Sequence, residues 1–177
     1  MSQAPAIDRT RFLQGDLRGR HTPIRPPWAV PESLFDDRCN NCGKCIEICP
    51  ERILKFGRGR LPVVDFQRGA CIFCGDCVRV CESGALNENW DPPWPLKALL
   101  SEGCLASKGV MCRACGDACE AGAIRFRLIV GGFSRPEFDS DACTGCGACV
   151  APCPEAAIRI QPHAATANGE TEPCEEG

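Results

Sequence analysis

The sequence predicts a small α+β fold in which two similar modules follow one another, each built of cysteine-bearing loops braced by short hairpins. Three observations lead there. Cysteines recur in four groups at a nearly constant interval, which is the mark of an internal repeat. A short apolar segment follows the last cysteine of each group. A Pro-rich stretch divides the groups two and two.

The first group is Cys39-x2-Cys42-x2-Cys45-x3-Cys49, followed by Pro50. The second is Cys71-x2-Cys74-x2-Cys77-x3-Cys81, followed by Glu82. The third departs from the pattern as Cys104-x7-Cys112-x2-Cys115-x3-Cys119, followed by Glu120. The fourth, Cys143-x2-Cys146-x2-Cys149-x3-Cys153, regains it and ends on Pro154. From the last cysteine of one group to the first of the next the chain advances 22, 23 and 24 positions.

The segments Ile53–Phe56, Ala85–Leu86, Ala123–Phe126 and Ala156–Ile160 read as short half-buried strands. Leu61–Asp65 and Phe133–Asp139 read as second arms of hairpins, with Gly57, Gly59, Gly131 and Gly132 supplying the turns. From the third cysteine of a group onwards, as in Cys45–Cys49, a short helix begins. Residues 1–30 are expected to form a basic, largely irregular arm, 31–89 a first module, 97–161 a second and 162–177 an acidic, disordered tail. Between the modules, 90–96 includes Pro92, Pro93 and Pro95. Adjacent prolines continue neither a helix nor a central strand, so this piece reads as a semi-rigid connector. The competing reading is a surface loop within one continuous domain.

The chemistry follows from the cysteines. The 177 residues include 17 Cys but only three Trp, eight Phe and no Tyr, so cysteine chemistry must carry much of the fold. Disulfides, zinc and iron–sulfur clusters compete. Disulfides need an oxidising compartment and an export signal. The N-terminal stretch carries arginines at 9, 11, 18, 20 and 25 and no continuous apolar run. No segment approaches the roughly 18 apolar residues that span a bilayer. A reducing cytoplasmic location is expected. Structural zinc takes four ligands, usually as two separated pairs. Cys-x2-Cys-x2-Cys instead wraps three thiolates round one cubane, and the fourth cysteine reaches the neighbouring cluster. The expectation is therefore tandem bacterial 2[4Fe–4S] ferredoxin-like modules with four clusters in all.

Crosswise ligation names the sites. Cys39, Cys42 and Cys45 take Cys81, and Cys71, Cys74 and Cys77 take Cys49. Cys104, Cys112 and Cys115 take Cys153, and Cys143, Cys146 and Cys149 take Cys119. The longer Cys104–Cys112 loop closes at little cost, since doubling a loop adds only about 0.6 kcal/mol. The alternative is that Cys104 does not ligate and a three-iron cluster results. Cys174 stands outside every motif and reads as a free thiol, and His21 and His163 are isolated. Neither a phosphate loop nor an H-E-x-x-H helix is present, so an electron-transfer or maturation factor is expected rather than an enzyme. The formal charge of −3 would fall to about −11 with four cubanes bound to sixteen thiolates, which argues against nucleic acid as a partner.

The segment from Cys104 to Phe126, together with Arg25–Ala29 and Arg11–Leu13, resembles the NapF family, ferredoxin-type proteins of the periplasmic nitrate reductase system. The likeness covers roughly residues 7–160, with one departure: Thr10 separates Arg9 from Arg11 where the family often has adjacent arginines. The resemblance implies a cytoplasmic accessory protein. Its partner would be the precursor of the catalytic nitrate reductase subunit, assisted before export by [4Fe–4S] assembly or by electron supply. The arm at 9–29, with Trp28, is the expected contact. Two other functions remain open: a soluble polyferredoxin carrier or relay subunit of a larger oxidoreductase, and a redox or iron sensor.

Overall fold

A chain with a cysteine, glycine or proline every few positions has no room for long regular elements. The computed structural model describes residues 23–89, 93–129 and 132–163, and its elements are all short. The helices are α1 (Glu32–Arg38), α2 (Lys44–Ile48), α3 (Asp76–Arg79) and α4 (Ala114–Asp117). The strands are β1 (Leu54–Phe56), β2 (Pro62–Val64), β3 (Leu96–Leu100), β4 (Ile124–Leu128), β5 (Ser134–Phe138) and β6 (Ile158–Pro162). Among the described residues no helix is long and apolar enough to cross a membrane.

Two hairpins stand where the glycine turns place them. β1 pairs antiparallel with β2, Leu54 opposite Val64, around a 3₁₀ turn at Arg58–Arg60. β4 pairs antiparallel with β5, Ile124 opposite Phe138. A third ladder joins distant parts of the chain: β3 pairs antiparallel with β6, Leu96 opposite Pro162 and Leu100 opposite Ile158. Its counterpart in the first half is a single bridge between Ala29 and Leu86. Each half thus pairs the segment before its first cysteine group with the segment after its second. The first-half ladder stops at one bridge for a reason. Trp28 is left-handed at φ 60°, and Pro27 and Pro31 have no amide to donate. The Ala85–Leu86 segment therefore forms no strand. β3 begins at Leu96, inside the stretch read from sequence as a connector.

Each half has its own core. In the first, Val30, Phe35, Ile53, Leu54, Ala85 and Leu86 are buried together. In the second, Trp94, Leu96, Ala98, Ile124, Val150 and Ile158 are. Phe66 belongs to the first half by sequence but is buried in the second core. Its ring meets Trp94 edge-on at 5.9 Å, and Phe73 meets Trp94 likewise at 5.6 Å. Trp94 Nε1 donates to the Thr144 carbonyl at 3.3 Å. The halves meet through this aromatic seam.

Residues 23–30, read from sequence as part of an irregular arm, lie against the first half. Pro26 is fully buried, and the Val30 amide donates to the Ala85 carbonyl at 3.0 Å. Arg25 grips Glu32 through Nε and Nη2, at 2.8 and 2.6 Å, and lies over the Phe35 ring. Arm residues 1–22 with His21, connector residues 90–92 and tail residues 164–177 with Cys174 lie outside the described residues. His163 is described, and its amide donates to the Pro95 carbonyl at 2.7 Å, extending the β3–β6 ladder.

Candidate iron–sulfur centres

The cysteine loops owe their shape to left-handed backbone on both sides of the second cysteine. In the first group these residues are Asn41 and Gly43, with φ of 58° and 78°. In the second they are Phe73 and Gly75, and in the fourth Gly145 and Gly147, all at positive φ. Alternating handedness turns successive amides into one concavity, the nest that suits phosphates and iron–sulfur sites. The third group lacks this. Arg113, after Cys112, is at φ −133°, and the Cys104–Cys112 loop instead closes through a 3₁₀ turn at Ala106–Lys108 and Gly109 at φ 80°.

Three cavities are each lined by four thiols, and in each the fourth comes from the other cysteine group of the same half. Cys39, Cys42, Cys45 and Cys81 line one floored by Phe35. Cys49, Cys71, Cys74 and Cys77 line another, walled by Trp28 and Phe73. Cys119, Cys143, Cys146 and Cys149 line one between Ala98 and Ile124. These thiols are those of the first, second and fourth quartets named from the sequence. In the third set Cys104 and Cys153 pack with Ala157, Cys115 is near enough to both for their charges to act on it, and Cys112 is half-buried three positions before Cys115.

The electrostatics repeat the grouping. Burial pushes the Cys45 thiol up to about 11, and the charges of Cys39, Cys42 and Cys81 push the same way. Cys71 is raised to about 11 by burial, helped by Cys49, Cys74 and Cys146. Cys77 reaches about 12 by burial, then through Cys71, Cys45 and Cys74. Cys149 reaches about 12 by burial and its neighbours Cys146, Cys143 and Cys119, while Cys115 reaches about 11 by burial and through Cys104 and Cys153. Thiols so crowded repel one another once ionised, and a cationic core set among them reverses that balance.

Backbone donors also reach the sulfurs. The amides of Phe73, Leu86 and Ala157 donate to Sγ of Cys71, Cys81 and Cys153 at 3.4, 3.3 and 3.3 Å. Such bonds hold ligands in place and tune a cluster's reduction potential. Beside the first quartet, Lys44 and Glu82 pair at 2.6 Å, tying the first cysteine loop to the end of the second group. Among the described residues no three His, Cys, Asp or Glu side chains close on a site for one metal ion. The donor set, the nests and the thiol-lined cavities fit a cubane with four iron corners.

Sequence reasoning did not find Phe66, Phe73 and Trp94 as the aromatic seam between the halves. Trp94 sits in a Pro-rich stretch that reads as linker, and only the β3–β6 ladder brings it inside. Trp28, part of the arm expected to contact a partner, is half-buried and held in place. Its amide donates to the Pro93 carbonyl at 2.6 Å, its carbonyl accepts from Asn87 at 2.8 Å, and its ring meets Phe73 edge-on.

Twin α+β halves with thiol quartets drawn from paired loops define a ferredoxin-type iron–sulfur protein that carries [4Fe–4S] clusters. The chain matches the 4Fe-4S dicluster domain family over residues 38–85 and 109–174, one stretch in each half. It is 40% identical over 157 residues to the ferredoxin-type protein NapF of Escherichia coli K12, covering 88% of this chain and 96% of that one. With NapF of Haemophilus influenzae it shares 42% over 148 residues, 84% of each chain. With the methylamine utilization ferredoxin-type protein MauM of Methylobacillus flagellatus it shares 36% over 181 residues, 89% of this chain and 77% of the relative. The chain belongs to the NapF family of ferredoxin-type proteins.

Proposed function

We propose that this protein binds four [4Fe–4S] clusters through its sixteen motif cysteines and serves the periplasmic nitrate reductase catalytic subunit in the cytoplasm before export. It does so by [4Fe–4S] assembly or by electron supply. The observation that carries the cluster reading is the lining of the cavities, each by three cysteines of one group and the last cysteine of its neighbour. Family membership carries the accessory role. The clusters would supply one-electron chemistry, and this chain's residues hold, shield and tune them.

Crosswise ligation has a direct test. Cys81→Ser is expected to disturb the cluster held with Cys39, Cys42 and Cys45, and to leave the signal of the Cys71, Cys74 and Cys77 cluster nearly unchanged. Cys174→Ser should change neither. Paramagnetic resonance of the reduced variants reads this, and damage confined to the Cys71 group would reverse the assignment.

The nitrate reductase role is tested by affinity capture from cytosol with tagged, anaerobically prepared protein. Selective retention of the uncleaved catalytic precursor is expected. Removal of residues 1–22 should spare the iron, because the packed segment begins at Pro23, yet lower nitrate reductase activity in cells. Wild-type activity in that strain would take the N-terminal arm out of the mechanism. A second reading, a polyferredoxin carrier or relay subunit, is favoured by the match to MauM, whose name places it in methylamine utilization. A carrier would exchange electrons with several partners and retain none.

A further inference from the structure

The quartets are not two isolated pairs. In the first half, Cys39, Cys45, Cys49, Cys77 and Cys81 pack on one core, so the first and second quartets share it. In the second half, Cys115, Cys119, Cys149 and Cys153 share a core, and Cys153 continues to Cys104. Cys71 packs against both cores. Its amide donates across the seam to the Cys146 carbonyl at 2.8 Å. A residue of the second quartet therefore meets a residue of the fourth through one hydrogen bond, with no side chain between them. Phe66 fixes this seam from the first half. It is 6% exposed, stands edge-on to Trp94, and its ring fills the space over Gly147, the residue that follows Cys146.

We propose that Phe66 on Gly147, with the Cys71–Cys146 hydrogen bond, is a positioning junction that joins the four centres into one series. The series runs from the first quartet through the second and fourth to the third, so that an electron accepted at one end of the molecule is delivered at the other. It rests on the reading that four clusters are bound. Each transfer moves one electron: one centre is reduced as its neighbour is oxidised, no bond forms or breaks, and no proton moves. The electron comes from a reduced flavin or iron–sulfur protein and leaves to an oxidised iron–sulfur protein. The two ends differ in build. The first quartet has the regular nest, whereas the third has the long Cys104–Cys112 loop, so the two can receive different partners.

The test uses whole, anaerobically reconstituted protein. Iron and sulfide are measured first, and about sixteen of each is expected for four cubanes. Fully reduced protein is then examined by paramagnetic resonance for magnetic interaction between centres, in the wild type, in Phe66→Ala and in Phe66→Leu. The wild type should show interaction in excess of two separate pairs. Phe66→Ala should keep its iron and its within-half interactions and lose the excess, and Phe66→Leu should restore part of it. A merely structural role for Phe66 would lower stability without removing this signal selectively.

Full iron with only two independent pairs in the wild type overturns the series and leaves the four-cluster reading standing. An unchanged excess in Phe66→Ala overturns the junction. Iron near half the expected amount overturns the four-cluster reading and the series with it. If Phe66→Ala does not fold, the wild-type spectrum still decides the series, and Phe66→Leu decides the junction.

Discussion

Stripping the iron from this protein, by chelation or by air oxidation, is expected to abolish its secondary structure in one cooperative step. No element could survive by itself. The helices have four to seven residues, far below the about 12–15 that make an isolated helix even marginal. The strands have three to five and pair only two by two, and a lone two-stranded ladder is marginal at best in water. What holds the halves is a core in which cysteines are a large share of the contacts: Cys39, Cys45, Cys49, Cys77 and Cys81 surround Phe35 and Ile53. Without metal these become neutral thiols facing thiol-lined cavities with nothing to bind. Structural metal binding of this kind is worth on the order of 10 kcal/mol, comparable with the whole stability of a small domain. Far-ultraviolet circular dichroism and cluster absorbance should therefore fall together as chelator is added. Ligation displaces thiol protons, so the loss should be faster in mildly acidic than in mildly alkaline buffer. A metal-free chain with intact circular dichroism would show that side-chain packing alone suffices.

The legible part of this molecule was the local part. Cys-x2-Cys-x2-Cys spacing fixes which thiols can converge, and Cys39, Cys42 and Cys45 line one cavity together with Cys81 of the second group. Both hairpins were legible because glycines mark their turns and apolar residues alternate on either side. The β3–β6 ladder was not. Lys97–Leu99 carries no turn signal, follows a run of prolines, and pairs with Arg159–Gln161 across nearly the whole second half of the chain. The seam was hidden for the same reason. Nothing near Phe66 in sequence says that its ring will be buried beside Trp94, and nothing near Trp28 says that it will be pinned between Pro93 and Asn87. Long-range packing chose these residues, and a repeat that reads as two modules does not reveal how the modules touch.

That seam makes Gly147 a glycine whose replacement should be costly. Gly147 has φ +83°, and a Cβ built there would run into the Phe66 ring. Gly84, at φ +72°, has the same backbone handedness but nothing within 4 Å of its would-be Cβ. Alanine at either site carries the left-handed penalty of about 1–2 kcal/mol. Only at Gly147 must a buried ring also move, and overpacking of this kind adds about 1–3 kcal/mol. Phe66 has little freedom to yield, because Trp94 stands edge-on to it at 5.9 Å and Trp94 is itself bonded to Thr144. Gly147→Ala should therefore destabilise by about 2–5 kcal/mol and Gly84→Ala by the backbone share alone. The check is the unfolding midpoint of both anaerobic holoproteins at one scan rate, with iron content measured beforehand. Adding Phe66→Leu to Gly147→Ala should recover part of the larger loss, since a smaller side chain then leaves room for the methyl group. Equal losses at the two glycines would mean that the ring moves aside freely and the seam is soft.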